Sequence, residues 1–358
     1  MKKLLILTHE DGYFMTSLKS NYPNNSLDIT KIKKGFEELG WVVEICTYST
    51  INKKMDFKNF YVLYASSEDY GQFYKDFIED ILLWLVQKGN VLVPEFNYFR
   101  AHHNKMYMEL LKDTFNNDLL KTIKTYYFSN YDELKDFTKK KNIEYPLVIK
   151  ASAGAGSGGV ALAYNERELL KYSKKYSKRI YFDYYANLWR ISLIQKLKNT
   201  YRTLKKQPLV IYRKKEGKFI VQTFITNLKG DYKVLVFGNQ YYVLQRMNRV
   251  GDFRASGSGR FSFPGFSEET QKILDFAKMA HDEMQQPMLS LDIAYDGKEC
   301  HMIEFQAVHF GPYTLEKSSY YYEYKNLGWS QKKSTGDLED AVVYAVNNFI
   351  LGKEGHKG

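Results

Sequence analysis

Only two cysteines, Cys46 and Cys300, occur in the 358 residues. That is too few for a disulfide framework or a four-thiolate zinc site, so a reducing compartment is expected. Proline is equally scarce, at seven residues, which excludes a Pro-rich linker architecture. No apolar run approaches the roughly 18 residues needed to span a bilayer. The opening Met1-Lys-Lys-Leu-Leu-Ile-Leu7 turns polar at Thr8, too soon for a leader core, and a cytoplasmic protein without a membrane span is expected. No G-x-G-x-x-G follows the first apolar segment, no Gly-Lys-Ser/Thr phosphate loop occurs, and no Ser/His/Asp or Cys/His arrangement suggests a protein nucleophile. There is no internal repeat. What is plentiful is tyrosine (31), phenylalanine (23) and positive charge, net +11. The length suits two or three domains. The charge favours anionic partners, but without an RNA-reading aromatic motif nucleic acid is not the expected one.

The first hundred residues alternate between apolar strands and helical stretches. Leu4–Leu7, Trp41–Cys46, Tyr61–Ala65 and Val91–Val93 read as strands. Asp28–Leu39 carries Ile29, Ile32, Phe36 and Leu39 on one stripe before Gly40, and Tyr74–Lys88 is closed by Gly89, so both read as helices. No hairpin dipeptide joins the strands, and a parallel, doubly wound sheet is predicted. Further helices are expected at His103–Lys112, from Asn130, at Glu166–Tyr176, Ser267–Met284 and Leu338–Leu351. Strands are expected at Thr122–Phe128, Tyr145–Lys150, Val160–Ala163 and Phe219–Ile225. Two hairpins complete the pattern: Tyr232–Phe237 with Tyr241–Arg246 about Gly238-Asn239, and Leu289–Ala294 with His301–Phe305 about Asp296-Gly297. The basic, aromatic stretch 178–218 is only partly readable; within it Tyr201-Arg-Thr-Leu-Lys-Lys206 reads as a solvated lid face.

Three constellations carry chemistry. Lys150 ends a strand that runs into Gly154, Gly156, Ser157, Gly158 and Gly159. Bare backbone N–H groups beside a fixed charge suit phosphate, with an ordinary Gly-rich hairpin loop as the alternative. Asp292, Glu304 and Gln306 lie on the second hairpin. A two-residue turn would set 292 and 304 on opposite faces, whereas an odd loop of three or five residues pairs them. The odd loop also gathers Leu291, Ile293, Ile303 and Phe305 on one face, and register follows burial. An all-oxygen face fit for Mg²⁺ is then predicted, against the alternative of a solvated polar face. Finally, the Gly238-Asn239 turn pairs 237 with 240 and so Asp231 with Arg246. Arg246, Arg249, Arg254 and Arg260 fall within fifteen residues among glycines, either as a phosphoryl clamp or as a basic surface loop.

Taken in order, Asn104-Lys105, Lys150 before the Gly loop, Val221-Gln-Thr-Phe-Ile225, Asp231-Tyr-Lys, Arg246, Asp252-Phe-Arg254, Asp292 and Glu304-Phe-Gln306 resemble the ATP-grasp superfamily. The likeness is greatest to its glutathione-synthetase and ribosomal-protein-glutamate-ligase side, and it covers roughly residues 100–312. It implies a mixed α/β and α+β fold, with an N-terminal parallel α/β domain (1–100) followed by a two-subdomain grasp: a lid with the Gly-rich flap (101–225) and a large subdomain (226–358). It also implies roles. Lys105 and Lys150 would contact ATP phosphates under the Gly154–Gly159 flap. Gln222, Thr223 and Ile225 would meet the adenine mainly through backbone groups, with Met302 lining its pocket. Asp292, Glu304 and Gln306 would hold Mg²⁺, two ions with Mn²⁺ as a substitute, while Arg246 and Arg254 would stabilise the phosphoryl group in flight. This sequence departs from the pattern at Thr223, Lys233, Ser256 and Gln306. The implied activity is an ADP-forming carboxylate–amine ligase working through an acyl-phosphate. Its substrates would be a small-molecule carboxylate (acidic metabolite, sugar acid or peptide) and an amine, and a homodimer is compatible with it. A kinase acting on a hydroxyl and a non-catalytic ATP-binding module are the alternatives.

Histidines outside these motifs receive plainer readings. Adjacent residues on a helix point roughly 100° apart, so His102 and His103 are expected to be structural. His309, and the segment Thr8-His9-Glu10-Asp11 at the C-terminal end of the first strand, are candidate substrate contacts, because open α/β sheets bind ligands at that edge.

Overall fold

A computed structural model describes residues 2–19, 25–51, 56–69, 72–153, 159–177, 193–194, 196–207 and 217–355. The chain forms two compact units, Met1–Ile123 with Ile225–Gly358, and Lys124–Phe224. Among the described residues no helix is long and apolar enough to cross a membrane.

The first unit begins with β1 (Lys3–Thr8), α1 (Ile29–Glu38), β2 (Val42–Thr47), β3 (Tyr61–Tyr64), α2 (Phe73–Gln87) and β4 (Val91–Val93). The strands pair in parallel in the order β2-β1-β3-β4, as the missing hairpin signals predicted. Asp28 caps α1 by accepting from the N–H groups of Thr30 and Lys31, and Gly40 leaves the helix at φ +82°, a conformation costly for any residue with a Cβ. Two helices then follow where one was expected: α3 (Phe96–Ala101) and α4 (Lys105–Asp113). The break falls at His103, whose φ is +54°, and Asn104 caps α4 through a hydrogen bond from Tyr107 N–H.

The second unit is an antiparallel sheet with helices on it. Its elements are β5 (Thr125–Phe128), α5 (Tyr131–Lys140), β6 (Leu147–Ala151), β7 (Val160–Ala163), α6 (Glu166–Ser177) and β8 (Phe219–Thr223), with strand order β5-β8-β6-β7. Phe128, Leu147, Ile149, Leu169, Phe219 and Val221 share one apolar cluster. Tyr201–Lys206 is largely exposed, in keeping with a solvated face, whereas the rest of the basic stretch lies mostly outside the described residues.

The chain then returns to the first unit with β9 (Gly230–Phe237), β10 (Gln240–Met247), β11 (Phe261–Ser262), α7 (Glu268–Met284), β12 (Met288–Tyr295), β13 (Cys300–Gln306), α8 (Tyr313–Lys317), β14 (Tyr320–Lys325), β15 (Gly328–Lys333) and α9 (Leu338–Gly355). These strands form an antiparallel sheet ordered β13-β12-β9-β10-β14-β15, with β11 beside β10. Both faces of β9 are buried. Val234 and Val236 join one core with Leu5, Val62, Leu291 and Phe305, and Leu235 and Phe237 join another with Ile6, Phe36 and Val342. That double burial is why the strand reads as a continuous apolar run rather than an alternation. Helix α1 approaches α9 closely at Gly35, where an added Cβ would lie 3.0 Å from Val343 Cγ2.

Two hairpins test the sequence reading. Asp231 pairs with Arg246 and Phe237 with Gln240, as the Gly238-Asn239 turn predicted. Asp292 also pairs with Glu304, but not through an odd loop. Tyr295 pairs with Cys300 across four residues, Ile293 pairs with Met302, and a register shift then leaves Ile303 as the extra residue before Asp292–Glu304. A β-bulge thus supplies the parity assigned to the loop. It also exchanges two neighbours: Met302 is buried in the core and Ile303 is only half-buried.

The β14–β15 hairpin was not foreseen. Its turn is Asn326-Leu327, both left-handed at φ +52° and +62°, with Lys325 paired to Gly328. Leucine is a poor left-handed residue and disguises a turn that Asn-Gly would announce. Leu327 is 91% exposed, so Leu327→Gly loses no packing and relieves the strain. Stability should rise by about 0.5–1 kcal/mol in urea unfolding, and an unchanged or lower midpoint would contradict this account of the turn.

Candidate functional site

In the first unit, charged side chains from four strands and one helix converge on one face of the second sheet. Arg246 on β10 forms a two-pronged ion pair with Asp231, Nε to Oδ1 at 2.6 Å and Nη2 to Oδ2 at 2.8 Å. The same Nη2 lies 2.8 Å from Asp292 Oδ2. Lys233 Nζ stands 2.8 Å from Asp292 Oδ1 and donates to Ser290 Oγ at 2.9 Å. Sheet order explains this: Asp292 on β12 is the register partner of both Lys233 on β9 and Glu304 on β13. Lys105, at the start of α4, reaches Glu304 Oε1 at 3.5 Å. Gln306 pairs with Ser290 and is half-buried.

The electrostatics follow from burial and neighbours. Burial works to raise the Asp292 carboxyl, but Lys233 and Arg246 outweigh it and hold the group well below the ordinary carboxylate range. Asp231 moves the other way. Burial, reinforced by the negative charge of Asp292, lifts it above its usual value despite Arg246. The guanidinium of Arg246 gains more from its two carboxylates than burial takes away, and stays charged. Beneath this group Gly230 allows β9 and β10 to approach; a Cβ there would lie 2.0 Å from the Arg246 carbonyl oxygen.

The other expected residues of this unit are placed as follows. Arg254 sits in the loop after β10 and is gripped by Asp252, with Nε 2.9 Å from both carboxylate oxygens. Arg249 turns onto the Ser256 carbonyl and Arg260 onto the Asn248 carbonyl. Met302 is 1% exposed and packs in the core with Ile293 and Phe305, while its carbonyl accepts from Lys112 Nζ at 3.4 Å. Ile225 is half-buried at the boundary of the unit.

In the second unit Lys150 is buried in the centre of its sheet, register partner of Val160 and Ile220. Gln222 is also buried, and its Nε2 donates to Thr125 Oγ1 at 2.9 Å. The Thr223 N–H donates to the Lys124 carbonyl at 3.1 Å. Gly159 enters β7, its carbonyl accepting from Ala151 N–H at 2.8 Å. Gly154, Gly156, Ser157 and Gly158 lie outside the described residues.

Sequence reasoning missed Lys233 as a partner of Asp292, because nothing in the hairpin signals says that β9 and β12 are neighbours. Its premise that His102 and His103 sit on one helix is also corrected. They do not diverge on one helix; the left-handed backbone of His103 ends it, and the two rings stack with centroids 4.3 Å apart and planes 16° apart. Glu68, just beyond β3, lies 3.3 Å from His103 Nε2. His9 and His309, both named as candidates, line a cavity of about 350 Å³ with Tyr13, Glu68, Asp69 and Tyr74, past the C-terminal ends of β1 and β3.

No family model matches the sequence, and no curated protein matches it. Solved structures do. The chain is similar to an ATP-grasp RimK domain protein from Sphaerobacter thermophilus, at 12% identity and TM-score 0.50, over 98% of this chain and all of the other. It is similar to the D-cycloserine synthetase DcsG, at 12% identity and TM-score 0.53, over 96% and 99% of the two chains. A third is the N5-carboxyaminoimidazole synthetase of Staphylococcus aureus complexed with ADP, at 10% identity and TM-score 0.53, over 96% of this chain and 77% of the other. The strand order, the charged face of the antiparallel sheet and this likeness lead to one conclusion: the chain has the ATP-grasp fold.

Proposed function

We propose that this protein is an ATP-dependent, ADP-forming ligase that joins a carboxylate to an amine. The observation that carries the reading is the pairing of Asp292 with Glu304 on one sheet face, bordered by Lys105, Lys233 and Arg246. Carboxylates set among fixed cations suit a metal–triphosphate, and two of the proteins similar in fold are named as synthetases, one of them bound to ADP.

The donor set fits Mg²⁺. Asp292, Glu304 and Gln306 offer only hard oxygens, and Asp292 Oδ1, although close to Lys233, accepts no aligned hydrogen bond. Bound by these three side chains, Mg²⁺ would neutralise phosphate charge and orient the γ-phosphoryl group. Lys105 would bind phosphate oxygens; the resemblance implies the same role for Lys150 and water exclusion for 154–159, of which 154–158 lie outside the described residues. Arg246, kept in place by Asp231, would stabilise the charge that spreads over the transferring phosphoryl group. Arg254 would do the same from its loop. A carboxylate oxygen of the substrate attacks the γ-phosphorus and ADP leaves; the amine nitrogen then attacks the acyl carbon, phosphate leaves, and the amine gives up a proton. The +11 charge favours an acidic carboxylate substrate: an acidic metabolite, sugar acid or peptide.

Paired libraries of acids and amines, screened for ADP release by the purified protein, test this directly. The expected result is ADP and phosphate formed in equal amounts with an amide, only when both substrates are present. Phosphate retained on a hydroxyl-bearing acceptor, with no amide formed, would overturn the ligase reading in favour of a kinase.

A further inference from the structure

A second cluster of titratable groups, which comes within two residues of Lys105, has no part in the proposed reaction. His102, His103 and Glu68 each present one donor atom, and the three atoms lie within 4.8 Å of one another. Among the described residues this is the group of His, Cys, Asp or Glu side chains that meets that condition. The side chain of His102 is wholly buried, at 0% exposed, yet neither of its ring nitrogens has a hydrogen-bond partner. A buried imidazole with two empty nitrogens is expensive, and each such group asks for a ligand. His103 Nε2 is in the same state, since its approach to Glu68 is not aligned as a hydrogen bond. So is His309 Nδ1, on a ring whose centroid is 5.9 Å from that of His102.

We infer that Glu68, His102 and His103 form a binding site for a borderline divalent metal of the Zn²⁺ type, with an open coordination position toward the cavity that Glu68 lines. Two imidazoles and one carboxylate are donors that suit Zn²⁺ and its neighbours and not Mg²⁺. Two ring nitrogens sharing such an ion at about 2.0–2.1 Å stand roughly 3.4 Å apart. Glu68 Oε1 is already 3.3 Å from His103 Nε2 and 3.9 Å from His102 Nε2, and closure needs the two rings, stacked with planes 16° apart, to turn so that both lone pairs meet one ion. Lys75, whose Nζ donates to the His102 carbonyl, is an adverse charge. Glu68 supplies the opposing negative charge. An ion here would present its open position to a carboxylate, amine or thiol in the cavity of about 350 Å³.

Titration of the chelator-stripped, tag-free full-length protein tests this. Zn²⁺ would be followed by competition with a chromogenic chelator, and Co²⁺ by its visible d–d bands. The expected result is one equivalent bound at micromolar affinity or tighter and not displaced by millimolar Mg²⁺. Glu68→Gln and His103→Ala, both at partly exposed positions, should weaken binding at least tenfold, as should His102→Ala if it folds. His301→Ala, which removes an imidazole beside Asp296, should leave affinity unchanged and so report any ion bound elsewhere. Substoichiometric binding by the parent protein, or affinity undiminished in both Glu68→Gln and His103→Ala, would overturn the site.

Discussion

Glu304→Ala is expected to lower ADP-forming turnover by about 10²–10³-fold, some 3–4 kcal/mol of transition-state stabilisation, while the protein stays folded. Glu304 is the more accessible of the paired carboxylates, with its side chain 26% exposed, and its ion pair with Lys105 is long at 3.5 Å. Removing it therefore costs little stability, about 1 kcal/mol by the measure of partly exposed pairs, yet it deletes one of two charges proposed to hold the metal. Glu304→Gln retains an oxygen donor and should recover only part of the loss, mostly at high Mg²⁺. Stopped-time ADP assays across a Mg²⁺ series, alongside thermal melts, separate the two effects. Turnover within tenfold of the parent, with the same Mg²⁺ requirement, would remove Glu304 from the site.

Arg246→Met should produce the largest loss of stability. Arg246 is 7% exposed and is shared between Asp231 and Asp292. Without it two half-buried carboxylates face one another with Lys233 as their remaining close cation, a change whose cost should approach that of a broken buried pair, about 3–5 kcal/mol. The pH dependence has a definite sign. In the parent, Asp292 titrates below the usual carboxylate range, so the stability it contributes is complete above about pH 4 and is lost as pH falls toward its folded value. In the variant the two carboxylates repel, the folded state gains by taking up a proton, and the deficit should shrink as pH is lowered from 7 toward 5. Asp231→Asn combined with Arg246→Met leaves Asp292 paired with Lys233, and should be more stable than Arg246→Met alone by about 1–2 kcal/mol. Urea unfolding at both pH values decides the matter; additive effects of the two substitutions would mean that Arg246 is held by something other than these carboxylates.

What could be read from the residues, and what could not, divides along a physical line. Local signals sufficed where short-range geometry decides: the helix beginning at Asp28, the Gly238-Asn239 turn that set Asp231 opposite Arg246, and the parallel order implied by missing hairpin dipeptides. The Asp292–Glu304 pairing was legible because burial fixes register, but its cause was misassigned. Loop length and bulge shift parity alike, and only the position of Met302 in the core distinguishes them. Contacts between elements distant in sequence were not legible. Nothing near Lys233 announces that β12 will lie beside it, and nothing near Glu68 announces the histidine pair. The dipeptide His102-His103 was seen and set aside on helical geometry, which the left-handed His103 does not obey. The Asn326-Leu327 turn was missed for a similar reason, since its second residue is one that the conformation disfavours.

The approach of β9 to β10 at Gly230 has a consequence for how variants of this protein will read. An alanine there looks innocuous, adding one methyl group and altering no charge, yet the added carbon would collide with the Arg246 carbonyl and push the guanidinium off both aspartates. Sensitivity at a position without a functional group would thus mark the backbone on which the ionic lattice is strung, and a survey confined to polar side chains would pass it by.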